Sequence, residues 1–393
     1  MTPATPDSAL LADPIALARD LIRRPSVTPA DAGALAVLRE ALEALGFVCR
    51  PMPFGDIDNL YARLGTGRPH FCFAGHTDVV PVGDAAAWSQ PPFEAALRDG
   101  VLIGRGAADM KSSIAAFVAA VARALQGGAP AGSISLLITG DEEGLAEHGT
   151  KAMVAALAAE GEIIDHCLVG EPTSSAVLGD MIKIGRRGSV GAIITVEGVQ
   201  GHVAYPQRAA NPIPVLVRLL SRLQDRVLDD GYEAFQPSNL EITSIDVGNA
   251  ASNVIPGRAE ARLNIRFNPG HTGTDLAAWL KAEGAAAGER FAGKVTVETR
   301  INGEAFLTPR GAFTDVVTRA VESVTGRAAE LSTTGGTSDA RFIRALCPVV
   351  EFGLVGATMH QVDERAPVAD IHALTAIFER LIADYFEAFG EAR

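Results

Sequence analysis

Phe71-Cys72-Phe73-Ala74-Gly75-His76-Thr77-Asp78 is an apolar run that stops on glycine and then delivers an imidazole and a carboxylate two residues apart. The same grammar recurs in Leu136-Leu137-Ile138-Thr139-Gly140 before Asp141-Glu142-Glu143, and in Cys167-Leu168-Val169-Gly170 before Glu171. Short continuous apolar runs bounded by glycine suit strands buried on both faces. The pattern predicts strands over His70–Ala74, Ser133–Thr139 and His166–Val169, alternating with helices over Ser112–Leu125 and Thr150–Ala159. That alternation is the signature of a layered α/β domain. Upstream, residues 14–24 and 32–45 carry helical spacing, and the Pro25 to Pro29 stretch turns between them.

In open α/β sheets ligands bind just outside the carboxyl ends of the strands. His76, Asp78, Glu142, Glu143 and Glu171 are therefore predicted to share one rim. Two more residues join them. Asp109 lies in Gly104-Arg-Gly-Ala-Ala-Asp109-Met-Lys just ahead of a helix, and His360 follows a strand over Val349–Phe352.

Past residue 187 the grammar changes. In Ala259 to Phe267 the odd positions are apolar and the even ones mostly charged, as in a strand with one wet face. Strands over Ser189–Val196, Leu240–Val247 and Lys294–Ile301, with helices over Pro212–Val227 and Thr274–Arg290, complete a β-α-β-β-α-β order, which matches a ferredoxin-like α+β unit. The predicted organisation is a discontinuous catalytic domain, 1–186 and 303–393, with 187–302 inserted into it.

Composition narrows the function. The 393 residues carry a net charge of −13, and no basic run is longer than Arg23-Arg24 or Arg186-Arg187. A phosphate-backbone binder needs a basic face, so no nucleic-acid partner is expected. The longest apolar stretch, Ile114 to Leu125, is shorter than the roughly 20 residues that span a bilayer, so no membrane partner is expected. MTPATPDSALLADP lacks the basic and apolar regions of a secretory signal, which makes a soluble cytoplasmic protein the expectation. Cys49, Cys72, Cys167 and Cys347 form no C-x-x-C and read as buried reduced thiols.

Two histidines and several carboxylates without cysteine make a ligand set for borderline-hard divalent metals, zinc first, with manganese or cobalt able to take it. Asp78 can orient the His76 ring, since residues two apart on an extended segment point the same way. Of Glu142 and Glu143, one can bind metal while its neighbour stays free as a general base. Taken singly, each piece has an ordinary reading. H-x-D occurs on surfaces and turns, Asp141-Glu142-Glu143 suits a helix start, Gly170-Glu171-Pro172-Thr173 suits a turn, and Asp109 suits an N-cap. Their joint occurrence in one strand-then-glycine context is what points to a site. His70, His148, His166, His271 and His372 lack that context and read as structural.

Gly75-His-Thr-Asp-Val-Val-Pro81, Gly104-Arg-Gly-Ala-Ala-Asp-Met-Lys111, Asp141-Glu-Glu-Gly144, Gly170-Glu-Pro-Thr173 and His360 resemble the dinuclear zinc amidohydrolases and peptidases of the M20 family over nearly the whole chain. The resemblance implies two Zn2+ per subunit, with Co2+ or Mn2+ able to substitute at one site. It places one zinc on His76, Asp109 and Glu171 and the other on Asp109, Glu143 and His360. It makes Glu142 the general base, Asp78 the partner of His76, and the Asp109-Met110 peptide cis. His202 is implied to reach the site of a second subunit and hold the oxyanion, which makes the inserted domain a dimerisation and lid domain and the enzyme a homodimer. Arg186, Ser189, Asn253, Arg266, Gly335 and Thr337 match positions that grip substrate carboxylates, as Arg forks do.

Lys183-Ile-Gly-Arg-Arg-Gly-Ser189, Asn253-Val-Ile-Pro256 and Gly335-Gly-Thr-Ser-Asp339 resemble the branch that takes a small polycarboxylate. They imply hydrolysis of N-succinyl-LL-2,6-diaminopimelate to succinate and LL-2,6-diaminopimelate. Deacetylation of N-acetylornithine or dipeptide cleavage is the alternative, and a metal-binding protein without turnover is the rival from another class. Ser112, Ser252 and Gly356-Ala357 depart from residues common in that branch, and none of them is a metal ligand.

Overall fold

The computed structural model describes residues 10–390, and the N-terminal stretch read for a secretory signal lies outside them up to residue 9. The chain divides into two compact units: Met1–Ile184 with Thr308–Ser332 and Ser338–Arg393, and Gly185–Leu307 with Thr333–Thr337. Thr333–Thr337, expected in the catalytic part, thus belongs to the inserted unit, as do residues 185–186 and 303–307. Arg186 accounts for part of this, since its guanidinium donates to the Thr334 and Gly336 carbonyls at 3.5 and 3.3 Å.

The first unit is built on an eight-stranded sheet, in the order Val48–Pro51, Leu60–Leu64, Ser133–Thr139, His70–His76, His166–Val169, Val349–Glu351, Met181–Lys183 and Glu330–Ser332. His70–His76 runs parallel to both of its neighbours, Ser133–Thr139 and His166–Val169, and the latter runs parallel to Val349–Glu351. Every residue of His70–His76 and Ser133–Thr139 is buried, so both sheet faces are covered. On one side Phe71 and Phe73, two residues apart, meet Phe117 of the Lys111–Gln126 helix, and Phe73 also meets Phe378 of the Val368–Phe389 helix. The Phe73 and Phe117 rings stack at 4.2 Å. Because the three strands run parallel, their carboxyl ends, each at or beside a glycine, emerge along one edge.

The inserted unit is the expected ferredoxin-like arrangement. Its antiparallel sheet runs Asn239–Asp246, Arg258–Phe267, Gly188–Glu197, Lys294–Gly303. Ala259, Ala261, Leu263, Ile265 and Phe267 are buried with Val190, Ile194 and Val196 beneath Leu216, Leu219, Leu220 and Leu223 of one helix and Leu276 and Leu280 of the other. The layered α/β domain with an inserted α+β domain expected from the sequence is present at the level of these elements.

Among the described residues no helix is long and apolar enough to cross a membrane. Cys72, Cys167 and Cys347 are buried free thiols, whereas Cys49 sits on an outer strand and is only partly covered.

Candidate metal centre

His76 is the last residue of its strand and is 1% exposed. Its Nδ1 lies 2.9 Å from the Asp78 carbonyl oxygen, so this nitrogen carries a proton and Nε2 is the one that faces the cluster. Nε2 stands 3.2 Å from Asp109 Oδ1 and 3.8 Å from Glu171 Oε1. The other oxygen of Asp109, Oδ2, stands 3.3 Å from His360 Nε2, which is also 2.9 Å from Glu143 Oε1. Asp109 therefore sits between two imidazoles, one on each carboxylate oxygen. The Asp109–Met110 peptide is cis. The N-cap of the following helix is Met110, with no side-chain cap, so Asp109 is not spent there.

Glu142 completes the group. Its carboxylate oxygen, His76 nitrogen and Glu171 oxygen lie within 4.8 Å of one another, as do those of His76, Asp109 and Glu143. Asp78 departs from its expected contact, because its Oδ1 is 3.6 Å from His76 Nδ1, beyond a hydrogen bond. The buried carboxylate instead accepts the backbone N–H of Glu142 at 3.2 Å and of Glu143 at 3.1 Å, and the Thr28 hydroxyl at 2.7 Å.

The electrostatics follow from crowding charges in a closed space. Burial pulls the His76 imidazole toward its neutral form, but the hydrogen bond to Asp109 and the charges of Asp109, Glu171 and Asp78 outweigh it and hold it well above 6.5. Hydrogen bonds to Asp109 and Glu143 carry His360 up to about 10. For Asp109, burial works upward, and the two histidines overcome it and hold the acid below its ordinary value. Glu142 is pushed well above the usual carboxylate range by burial, then by the charges of Glu171, Asp339 and Glu143.

The donor set fits divalent cations. Every donor is nitrogen or carboxylate oxygen, without sulfur. Two overlapping groups lie close enough to hold ions, His76 with Glu142 and Glu171 and His76 with Asp109 and Glu143, and His360 adjoins Asp109 and Glu143.

Residues 72–384 match peptidase family M20/M25/M40. The chain belongs to the M20 peptidase family. Curated relatives include succinyl-diaminopimelate desuccinylases of Caulobacter vibrioides (strain NA1000 / CB15N), 69% identical over 99% of this chain and 100% of that protein, and of Rhodospirillum rubrum, 56% identical over 96% and 100%. Among solved structures, the M20 metallo-carboxypeptidase Sso-CP2 from Sulfolobus solfataricus covers 95% of this chain and 99% of its own, with a TM-score of 0.80 and 16% identity. YXEP from Bacillus subtilis, described as a dinuclear metal binding peptidase from the M20 family, aligns with a TM-score of 0.72 and 16% identity over 97% of this chain and 100% of that one. These two likenesses establish the M20 fold.

The M20 chain keeps its candidate residues in separate units. His76, Asp78, Asp109, Glu142, Glu143, Glu171 and His360 belong to the first, and Arg186, Ser189, His202, Asn253, Arg266, Gly335 and Thr337 to the second. Within the second, Ser189 and Arg266 are register partners on adjacent strands. Ser189 Oγ accepts from the Asn264 and Asn302 amides at 3.1 and 3.3 Å. Burial and the neighbouring charge of Arg187 lower the Arg266 pKa. Gly335 has a φ of 106°, and a Cβ there would lie 2.6 Å from Arg186 Nη1. His202 is exposed, and its Nδ1 accepts the Ala204 N–H at 3.0 Å.

Several residues around the first unit's cluster escaped the sequence reading. Thr28 belongs to the Pro25–Pro29 turn, 50 positions from its partner Asp78. Buried Lys111 donates to the Leu21 and Arg24 carbonyls at 2.9 and 2.8 Å, and burial brings its amine down to about 7. Asp339, raised to about 6 chiefly by burial, adds negative charge near Glu142. Arg105 and Glu364 form an ion pair at 2.8 Å with both side chains buried. Arg105 lies inside the Gly104–Lys111 motif and Glu364 four residues after His360, but nothing local at either place reveals the pairing.

Proposed function

We propose that this chain is a metal-dependent amidohydrolase that cleaves N-succinyl-LL-2,6-diaminopimelate to succinate and LL-2,6-diaminopimelate, a step of lysine and cell-wall precursor synthesis. The observation that carries hydrolysis is the placement of Asp109 between His76 and His360 with Glu142 alongside. The substrate rests on relatives named succinyl-diaminopimelate desuccinylase, 56% to 69% identical over nearly the full chain.

His76, Asp109 and Glu171 would hold one divalent ion, and Asp109, Glu143 and His360 the other, zinc at both with cobalt or manganese able to replace it at one. Bound there, the pair supplies Lewis acidity that polarises the amide carbonyl and makes water deprotonate near neutral pH. Glu142 does the proton work. It takes a proton from water as the water oxygen bonds to the carbonyl carbon, then gives that proton to the departing amine as the C–N bond breaks. Burial raises the Glu142 pKa above the usual carboxylate range, the direction that favours a group that takes up a proton and returns it. Asp78 keeps Glu142 in place through the backbone. Arg186, Ser189, Asn253, Arg266, Gly335 and Thr337 bind the substrate carboxylates, and His202 donates to the oxyanion of a neighbouring subunit.

The proposal includes a cytoplasmic homodimer formed through the inserted unit. Val199, Val203, Tyr205 and Val217 of that unit are exposed apolar side chains, which association would cover. Free thiols support a reducing compartment.

The test is a parallel assay of the zinc-loaded protein against N-succinyl-LL-2,6-diaminopimelate and N-acetylornithine, with and without a chelator. Preference for the succinyl compound and loss of turnover on chelation are expected. Preference for the acetyl compound would overturn the substrate, and chelator-insensitive turnover would overturn the metal chemistry.

A further inference from the structure

Glu364 is 0% exposed, and four donors converge on its carboxylate. Oε1 accepts the backbone N–H of Ala108 at 2.9 Å and of Asp109 at 3.0 Å, while Oε2 accepts that of Gly106 at 3.1 Å and Arg105 Nη1 at 2.8 Å. Three amides of one loop aimed at one carboxylate form a nest. Gly106 helps to make it with a φ of 87°, where a Cβ would lie 2.9 Å from Lys111 Cδ. The loop that presents Asp109 is thus wrapped around Glu364, and the Asp109 backbone is tied to it directly.

Arg105, from the same loop, holds the chain on which Glu364 lies. Nη1 donates to the Gln361 carbonyl at 3.2 Å, and Nη2 donates to the Pro81 carbonyl at 3.2 Å and the His360 carbonyl at 3.5 Å. Its guanidinium also lies over the Trp88 ring at 5.2 Å. His360 needs an outside hold. Its side chain is 48% exposed, so packing alone does not place it, and its φ of 62° lies in the left-handed region that a non-glycine residue disfavours. His76 differs, because its ring is buried and tied to the Asp78 carbonyl two residues away.

We propose that Arg105 and Glu364 are positioning residues that set the separation of Asp109 from His360, and thereby the affinity of the metal position shared by Asp109, Glu143 and His360. This rests on the two-metal reading above. Loss of either partner leaves the other buried charge uncompensated and releases one of the two loops. The His76 side keeps its own anchor, so the effect falls on one position more than the other.

The experiment is calorimetric titration of the metal-freed full-length chain with Zn2+, for wild type, Glu364→Gln, Arg105→Lys and His360→Ala, with thermal unfolding of each metal-free form alongside. Wild type takes up two ions. Glu364→Gln and Arg105→Lys lose about 10- to 100-fold in the class of site that His360→Ala removes, and the other class, which shares Asp109 but keeps the buried His76, loses at least several-fold less. Equal losses in both classes, or wild-type affinities in a folded variant, would overturn the latch while leaving the two-metal reading intact. Should Glu364→Gln fail to fold, Arg105→Lys, which keeps its charge, decides between those outcomes. A wild type that takes up no Zn2+ would overturn the metal reading and the latch together.

Discussion

The carbonyl oxygen of Asp78, rather than its carboxylate, meets His76: 2.9 Å from Nδ1 against 3.6 Å. A carbonyl can only accept, so this contact sets the ring's tautomer without using the Asp78 side chain. The carboxylate is left to take the amides of Glu142 and Glu143 and the Thr28 hydroxyl. Ring orientation and placement of the base are separate tasks of one residue.

That separation makes Thr28 testable. A hydrogen bond to a buried charge contributes about 1.5–3 kcal/mol, so Thr28→Val is expected to lower kcat about 10-fold or more. Metal content should be unchanged and Thr28→Ser should restore the rate. Metal analysis beside steady-state kinetics checks this, and a parallel fall in bound metal would show that the hydroxyl serves the ligands instead.

Glu142→Gln keeps shape and removes the proton carrier. Turnover is expected to fall by roughly 10²- to 10⁴-fold with both ions retained, the range that general acid–base groups supply. Near-normal activity would sink the role given to Glu142.

Gly170 precedes Glu171 and leaves no room for a side chain, because a Cβ there would run into Phe73 Cζ, Ser113 Oγ and Met110 Cε. Gly170→Ala is expected to cost about 1–3 kcal/mol, the range for overpacking a closed core. Gly311, whose Cβ would meet nothing within 4 Å, is the control. Thermal unfolding of the metal-free chain compares the two, and equal effects would refute the steric account.

Asp229 contributes a pH-dependent share of stability to the inserted unit. Burial raises its pKa, but hydrogen bonds from Ser238, Gly231 and His271 prevail and hold it at about 2. The unfolded value is about 3.9, so the folded state binds fewer protons in this range, and the stabilisation is present above about pH 4 and lost as pH falls toward 2. The stability gap between wild type and Asp229→Asn should therefore be widest above pH 4 and close on acidification. A gap independent of pH would exclude this linkage.

Periodicity and strand termini made much of the fold legible. Ala259 to Phe267 alternates in sequence and is buried at the same alternate positions, since a strand's two faces are written every second residue. The strands His70–His76, Ser133–Thr139 and His166–Val169 are readable from another local cue, a continuous apolar run that stops at or beside a glycine. His76, Asp109, Glu142, Glu143 and Glu171 are legible as a candidate group because each stands at a strand's end, just beyond one or just before a helix, and His360 follows more loosely in the loop after Val349–Glu351.

The sequence by itself determined the layered α/β architecture, the inserted α+β unit and the kinds of side chain available to a metal. Tertiary structure alone decided their partners. Thr28 finds Asp78 across 50 residues and Arg105 finds Glu364 across 259, distances over which no periodicity carries information. It also decided that Asp78 serves Glu142 through backbone amides. Parallel strands bring three loop ends to one edge, and a buried carboxylate there must take whichever donors that edge presents.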